Sequence, residues 1–152
     1  SVVEHPELAR RIVAEGHELH NHTFHHVRLD TVDDDRIVAE LLGTRLAIFQ
    51  ATGGVEARPR VRPPGGRLDR RVRQVLRRAG YEAIMWSVNP GDWDPARTAE
   101  DIRRLVLERI HPGAIVLLHN APPATVEALP GLIDELRARG YRLVTVDELL
   151  GP

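Results

Sequence analysis

The chain has 152 residues, the length of one domain, and its 42% hydrophobic and 28% charged content excludes a disordered or collagen-like polymer. With 21 basic and 22 acidic residues the formal charge is −1, which excludes the basic footprint of a nucleic-acid binder, so no nucleic-acid partner is expected. There is no cysteine, which excludes disulfides, thiolate metal sites and a cysteine nucleophile, and no apolar run approaches the ~18 residues of a transmembrane segment. Ser1 leads straight into a charged helical pattern, and no signal peptide is expected there. In chain order, Pro6 to Glu15 predicts a helix: proline is tolerated in the first turn, Leu8, Ile12 and Val13 keep helical spacing, and Gly16 stops it. His17 to Asn21 reads as a weak strand. Asp33 to Ala51 predicts a second helix, with Ile37, Val38, Leu41, Leu42, Ile48 and Phe49 at three-to-four spacing and three aspartates at its positive end. Leu68 to Ala79 gives a third helix, with Leu68, Val72, Val75 and Leu76 inward and Gly80 as its stop. Tyr81 to Val88 reads as a strand ending at the turn Asn89-Pro90-Gly91. Thr98 to Ile110 makes a fourth helix, and Ala114 to Leu118 is a short apolar run of the kind a parallel strand buries on both faces. Thr125 to Arg139 is a fifth helix, followed by a last strand, Arg142 to Val146.

Alternating helices and short apolar strands imply an α/β layer or barrel fold, in which reactive groups collect just past the C-terminal ends of strands. Four segments hold polar groups at such places: the histidine cluster, Arg62 to Gly66, Asp92-Trp93 and His119. One rim of the fold is expected to carry them all. Histidine stands out in this chain, with eight copies, five of them between His17 and His26. His22 and His26 are spaced i and i+4, so one turn of helix would put both imidazoles on one face and let them share a metal; a pair of solvated loop histidines has the same spacing. His119 ends an apolar strand, where an imidazole serves either as a general acid or base or as a backbone-bonded strand end. Asp92 is a suitable partner, since a carboxylate orients an imidazole and favours its charged form, although Asp92 alone reads equally as a turn residue. Arg62 could hold a carboxylate or lie on the surface. Gly65 lets a backbone N–H approach a ligand closely or simply makes a turn. Trp93 lines a pocket or covers the core.

In this order the segments resemble the polysaccharide deacetylase family, also known as the NodB homology domain or carbohydrate esterase family 4. Gly16-His17-Glu18 and His22-Thr23-Phe24-His25-His26 match its histidine motif, Arg62 to Gly66 resembles its RPPYG motif, Trp86 to Trp93 the motif closed by aspartate and tryptophan, and Ile115 to His119 the leucine–histidine motif. The resemblance covers His5 to Leu150 as a single domain. It implies an α/β fold, a distorted (β/α) barrel of the NodB type, and metal-dependent removal of N-acetyl groups from an N-acetylglucosamine polymer of the peptidoglycan or chitin type. It also implies an extracellular or cell-surface setting. By that likeness His22 and His26 are two ligands of Zn2+ or another divalent transition metal, and the Gly65 N–H helps to hold the oxyanion. His119, kept protonated by Asp92, gives a proton to the leaving amine, while Trp93 and Leu117 enclose the acetyl methyl.

The family's first motif, TFDDGP, supplies the base and the third metal ligand, and no Asp-Asp-Gly-Pro occurs in these residues. Asp33-Asp34-Asp35 lacks the preceding strand and the following Gly-Pro, and the charge preference of a helix start explains it. The expectation is therefore an N-terminally incomplete domain without its first strand or strands, in which Arg62 lacks a carboxylate to orient and activity is impaired in this chain alone. An unpaired strand edge would favour self-association or pairing with a complementing N-terminal segment. His20, two residues from His22 and so on the same strand face, is a candidate substitute ligand. Two other readings remain: a non-catalytic carbohydrate-binding relative of the same fold, and a hydrolase of another small-molecule amide C–N bond.

Overall fold

A computed structural model describes residues 2–56 and 58–151, which divide into two compact units, 1–85 and 86–152. In the first unit, helix α1 (Pro6–Ala14) packs against α2 (Asp34–Thr52). The Arg10 guanidinium donates to the Ala51 carbonyl at 3.0 Å, tying α1 to the last turn of α2. Asp33 caps α2 by accepting the Arg36 N–H at 2.7 Å, and Gly53 closes the helix with a left-handed φ of 76°. The aspartate run is thus the start of a helix, as its charge requires. Strand β1 (Arg60–Val61) pairs in parallel with β2 (Glu82–Ala83), and α3 (Arg70–Arg78), capped by Asp69, connects them. Leu29, Ile37, Leu41, Val61, Val72, Val75 and Leu76 form the core of this unit. Ile37, Leu41, Val72, Val75 and Leu76 point inward as their helical spacing on α2 and α3 predicts, whereas Leu42 and Phe49 of the same α2 run are exposed.

In the second unit α4 (Ala99–Arg109) packs against α5 (Pro123–Ala138) around Val88, Val106, Leu132 and Leu136. Thr98 and Asp101 form a reciprocal capping box at the start of α4. The Asn89 side chain accepts the Gly91 N–H at 2.8 Å, which makes the expected turn at Asn89-Pro90-Gly91.

The strands are shorter than the apolar runs predict. Of Tyr81 to Val88, only Glu82–Ala83 forms a ladder; Val88 makes an isolated parallel bridge to Val116, and that bridge is all that Ala114 to Leu118 contributes. His17 to Asn21 contributes one bridge, Asn21 to Val61. A parallel ladder needs two chains in register over several residues, and apolar sequence alone does not supply the second chain. The run Arg142 to Val146 is not a strand. Thr145 accepts the Glu148 N–H at 3.2 Å and starts α6 (Val146–Leu150), with Asp147 and Glu148 at its positive end.

Candidate active-site residues

His22, His26, Arg62 and Gly65 belong to the first unit, and Asp92, Trp93, Leu117 and His119 to the second. Each group is built by its own local structure.

In the first unit His22 follows the Asn21 bridge, with the Asn21 N–H on the Arg60 carbonyl and the Arg62 N–H on the Asn21 carbonyl, both at 3.0 Å. The His22 and His26 rings lie edge to face with centroids 5.0 Å apart, so the structure brings this pair together. It does so without the helical turn that their spacing suggests. Residues 22–28 contain no helix, and the chain reverses through two left-handed residues, Thr23 at φ 63° and His26 at φ 56°. Side chains other than glycine enter that region at a cost of roughly 1–2 kcal/mol each, so the surrounding contacts must hold the loop in place. The contacts come from Asn21, whose side chain accepts the Thr23 N–H at 2.9 Å and donates to the Leu41 carbonyl at 2.8 Å.

The Nδ1–H of His22 donates to the Arg62 backbone carbonyl. That bond fixes the tautomer with its proton on Nδ1 and makes Nε2 the ring's acceptor nitrogen, the arrangement typical of a metal-ligating imidazole. Arg62 was singled out for its guanidinium; its carbonyl is what orients His22. Gly65 lies exposed in a 3-10 turn, Pro64–Gly66, at φ 65°, a conformation that favours glycine. His20 directs Nε2 at the Glu18 carboxylate, 2.9 Å away.

In the second unit Asp92 is buried, with 1% of its surface exposed, and its carboxylate takes three donors. The His119 backbone N–H reaches Oδ2 at 2.6 Å, the His119 Nδ1–H reaches Oδ1 at 2.8 Å, and the Thr125 hydroxyl reaches Oδ2 at 2.8 Å. Burial pushes the Asp92 carboxyl up, but the bonds from His119 and Thr125 outweigh it and hold the group below the usual carboxylate range. An ionised Asp92 leaves Nε2 as the working nitrogen of His119. The sequence pairing of Asp92 with His119 is thus realised. Thr125, in the first turn of α5, was not anticipated, because nothing in the sequence links it to a carboxylate 33 residues earlier. Leu117 is buried, whereas Trp93 is 64% exposed and so does not cover the core.

The model of the polysaccharide deacetylase family matches residues 1–84. A peptidoglycan-N-acetylglucosamine deacetylase of Listeria monocytogenes is 34% identical over 99% of this chain, which spans 31% of that protein. A chitooligosaccharide deacetylase of Bradyrhizobium is 40% identical, with 97% of this chain aligned to 73% of the relative. Among solved structures, a pseudoenzyme of carbohydrate esterase family 4 from Bacillus anthracis superposes with a TM-score of 0.89 at 33% identity, over 99% of this chain and 52% of that one. The chain therefore spans about a third of the Listeria relative and about three quarters of the Bradyrhizobium one. Its fold class is the α/β class of these esterases. The histidine loop, the RPPGG turn and the Asp92–His119 pair are the segments that first suggested this kinship, and with the family model and these identities they make the chain a member of the polysaccharide deacetylase family.

Proposed function

We propose that this chain serves the hydrolysis of N-acetyl groups on an N-acetylglucosamine-containing polymer of the peptidoglycan or chitin type, giving acetate and a free amine. The observation that carries this reading is the His119–Asp92 pair, in which a buried carboxylate fixes Nδ1 and leaves Nε2 to transfer a proton. The names of the Listeria and Bradyrhizobium relatives supply the substrate class. Such a polymer lies outside the cytoplasm, and so would the reaction.

His22 and His26 would hold a divalent transition metal, zinc among the candidates, and the fixed tautomer of His22 fits that role. When bound, such an ion polarises a carbonyl oxygen and acidifies a coordinated water. The residues of the chain do the rest. The Gly65 N–H donates to the acetyl oxygen as it gains negative charge. His119, charged and steadied by Asp92, passes its Nε2 proton to the amine nitrogen as the C–N bond breaks. Leu117 and Trp93 flank the acetyl methyl, and Arg62 would orient the base once a segment bearing the family's first motif supplies it.

The test is acetate release from N-acetylglucosamine oligomers with added zinc. The 152 residues contain no Asp-Asp-Gly-Pro, the family element for base and third ligand, so the chain alone is expected to release none. Extended with a segment bearing that motif it is expected to turn over, and His119→Ala in the extended protein to lose about 10²–10⁴-fold in kcat. Absence of turnover in the extended protein overturns the hydrolase reading. The likeness to the Bacillus anthracis pseudoenzyme then favours a second reading, a carbohydrate-binding relative without turnover, which oligosaccharide titration would detect.

A further inference from the structure

The loop that carries His22 and His26 rests on one short stretch of α2. Leu41 offers its carbonyl to Asn21, and Gly43 lies under Phe24, where a Cβ on the glycine would come within 3.4 Å of the ring. Glu40 reaches the residue next to His26. Its carboxylate is 2% exposed and accepts the His25 backbone N–H at 2.7 Å on one oxygen and the His25 Nδ1–H at 2.8 Å on the other. Arg36, one turn back on the same helix, reaches Glu40 at 2.6 Å. A buried carboxylate so occupied is anchored on the helix and unable to follow the loop.

We propose that Glu40 is a positioning residue for the metal-ligand loop. By gripping His25 through main chain and ring, it holds His26 in its left-handed conformation, with its imidazole beside that of His22. The proposal rests on the reading of His22 and His26 as ligands. The backbone bond sets the path of the chain into His26, and the ring bond prevents His25 from rotating away. Without the grip, the φ of 56° at His26 loses the hold that Glu40 has on the residue before it. Groups that orient metal ligands from behind are worth about 10–100-fold in metal affinity.

The experiment titrates zinc into the chain extended with a segment bearing Asp-Asp-Gly-Pro, wild type and variants alike, and follows the ring resonances of His22 and His26 by NMR, with amide exchange at His25 as a second readout. Glu40→Met fills the buried volume beside Ile37 and Leu41 without an acceptor. It is expected to fold, to bind zinc about 10-fold or more weakly, and to lose His25 amide protection. Glu40→Gln keeps an acceptor and should stay within about threefold of wild type, and His25→Ala keeps the backbone bond and should do the same. A role confined to stability would move the melting temperature of Glu40→Met and leave its zinc affinity alone, and that result overturns the proposal. Unprotected His25 amide exchange in the wild-type chain overturns it too, whatever the variants do. If zinc leaves His22 and His26 of the wild-type chain unshifted, the metal reading itself falls and takes the proposal with it; equal affinity in wild type and folded Glu40→Met removes the proposal alone.

Discussion

Asp92 shows how much of the chemistry depends on single hydrogen bonds. Three donors meet a carboxylate that is almost wholly buried, so removing one leaves an unmet acceptor at about 1–3 kcal/mol. Thr125→Val is expected to lose that much in urea unfolding, and Thr125→Ser to recover most of it. The pH dependence follows in sign from the lowered carboxyl. A group with a depressed folded pKa contributes stability in full above its unfolded value, about 3.9, and loses it as pH falls through the lower folded value. Asp92→Asn should therefore flatten the acid limb of a stability–pH profile below about pH 4. The Asp92–His119 pair was legible in the sequence because each residue follows an apolar run. Glu40 was not, yet it left a trace: a charge between Ile37 and Leu41 on the inward stripe of α2, where a glutamate is buried only if something holds it. Here Arg36 and His25 do so, and their pull outweighs burial and keeps the Glu40 carboxyl below its ordinary range.

Among the elements, the helices were readable because their signals are local. The capping residues Asp33, Asp69 and Thr98 each precede a periodic run, and each accepts the backbone bond that its position implies. Thr98→Ala should cost about 1 kcal/mol, read from denaturant unfolding, since Asp101 loses its reciprocal partner as well. The strands were less readable, because the partner that makes a ladder is distant in sequence. Helix α6 was missed for another reason: the alternation of Arg142 to Val146 looks like a strand until Thr145 is recognised as a cap. The histidine loop was half legible. Its spacing offered a His22–His26 pair as one of two readings, and the path that brings them together is set by Asn21 and by left-handed Thr23 and His26, which helical spacing does not encode.

At the scale of the molecule, each unit has a core of its own, centred on Leu41 in one and Leu132 in the other. Leu41→Ala and Leu132→Ala should each cost about 2–5 kcal/mol. Hydrogen exchange is expected to show the loosening first in α2 and α3 for the former and in α4 and α5 for the latter. Both units also use the same device, a buried carboxylate that takes the N–H and the Nδ1–H of a single histidine. They use it with stems of different length: a glutamate reaching out from a helix, an aspartate set closer in a turn. Exchanging one stem for the other would shift the carboxylate by about 1.5 Å, enough to carry both of its bonds beyond hydrogen-bonding range. Aspartate and glutamate, interchangeable over most protein surfaces, are therefore not synonyms here: Glu40→Asp and Asp92→Glu would each preserve the charge and unseat a histidine.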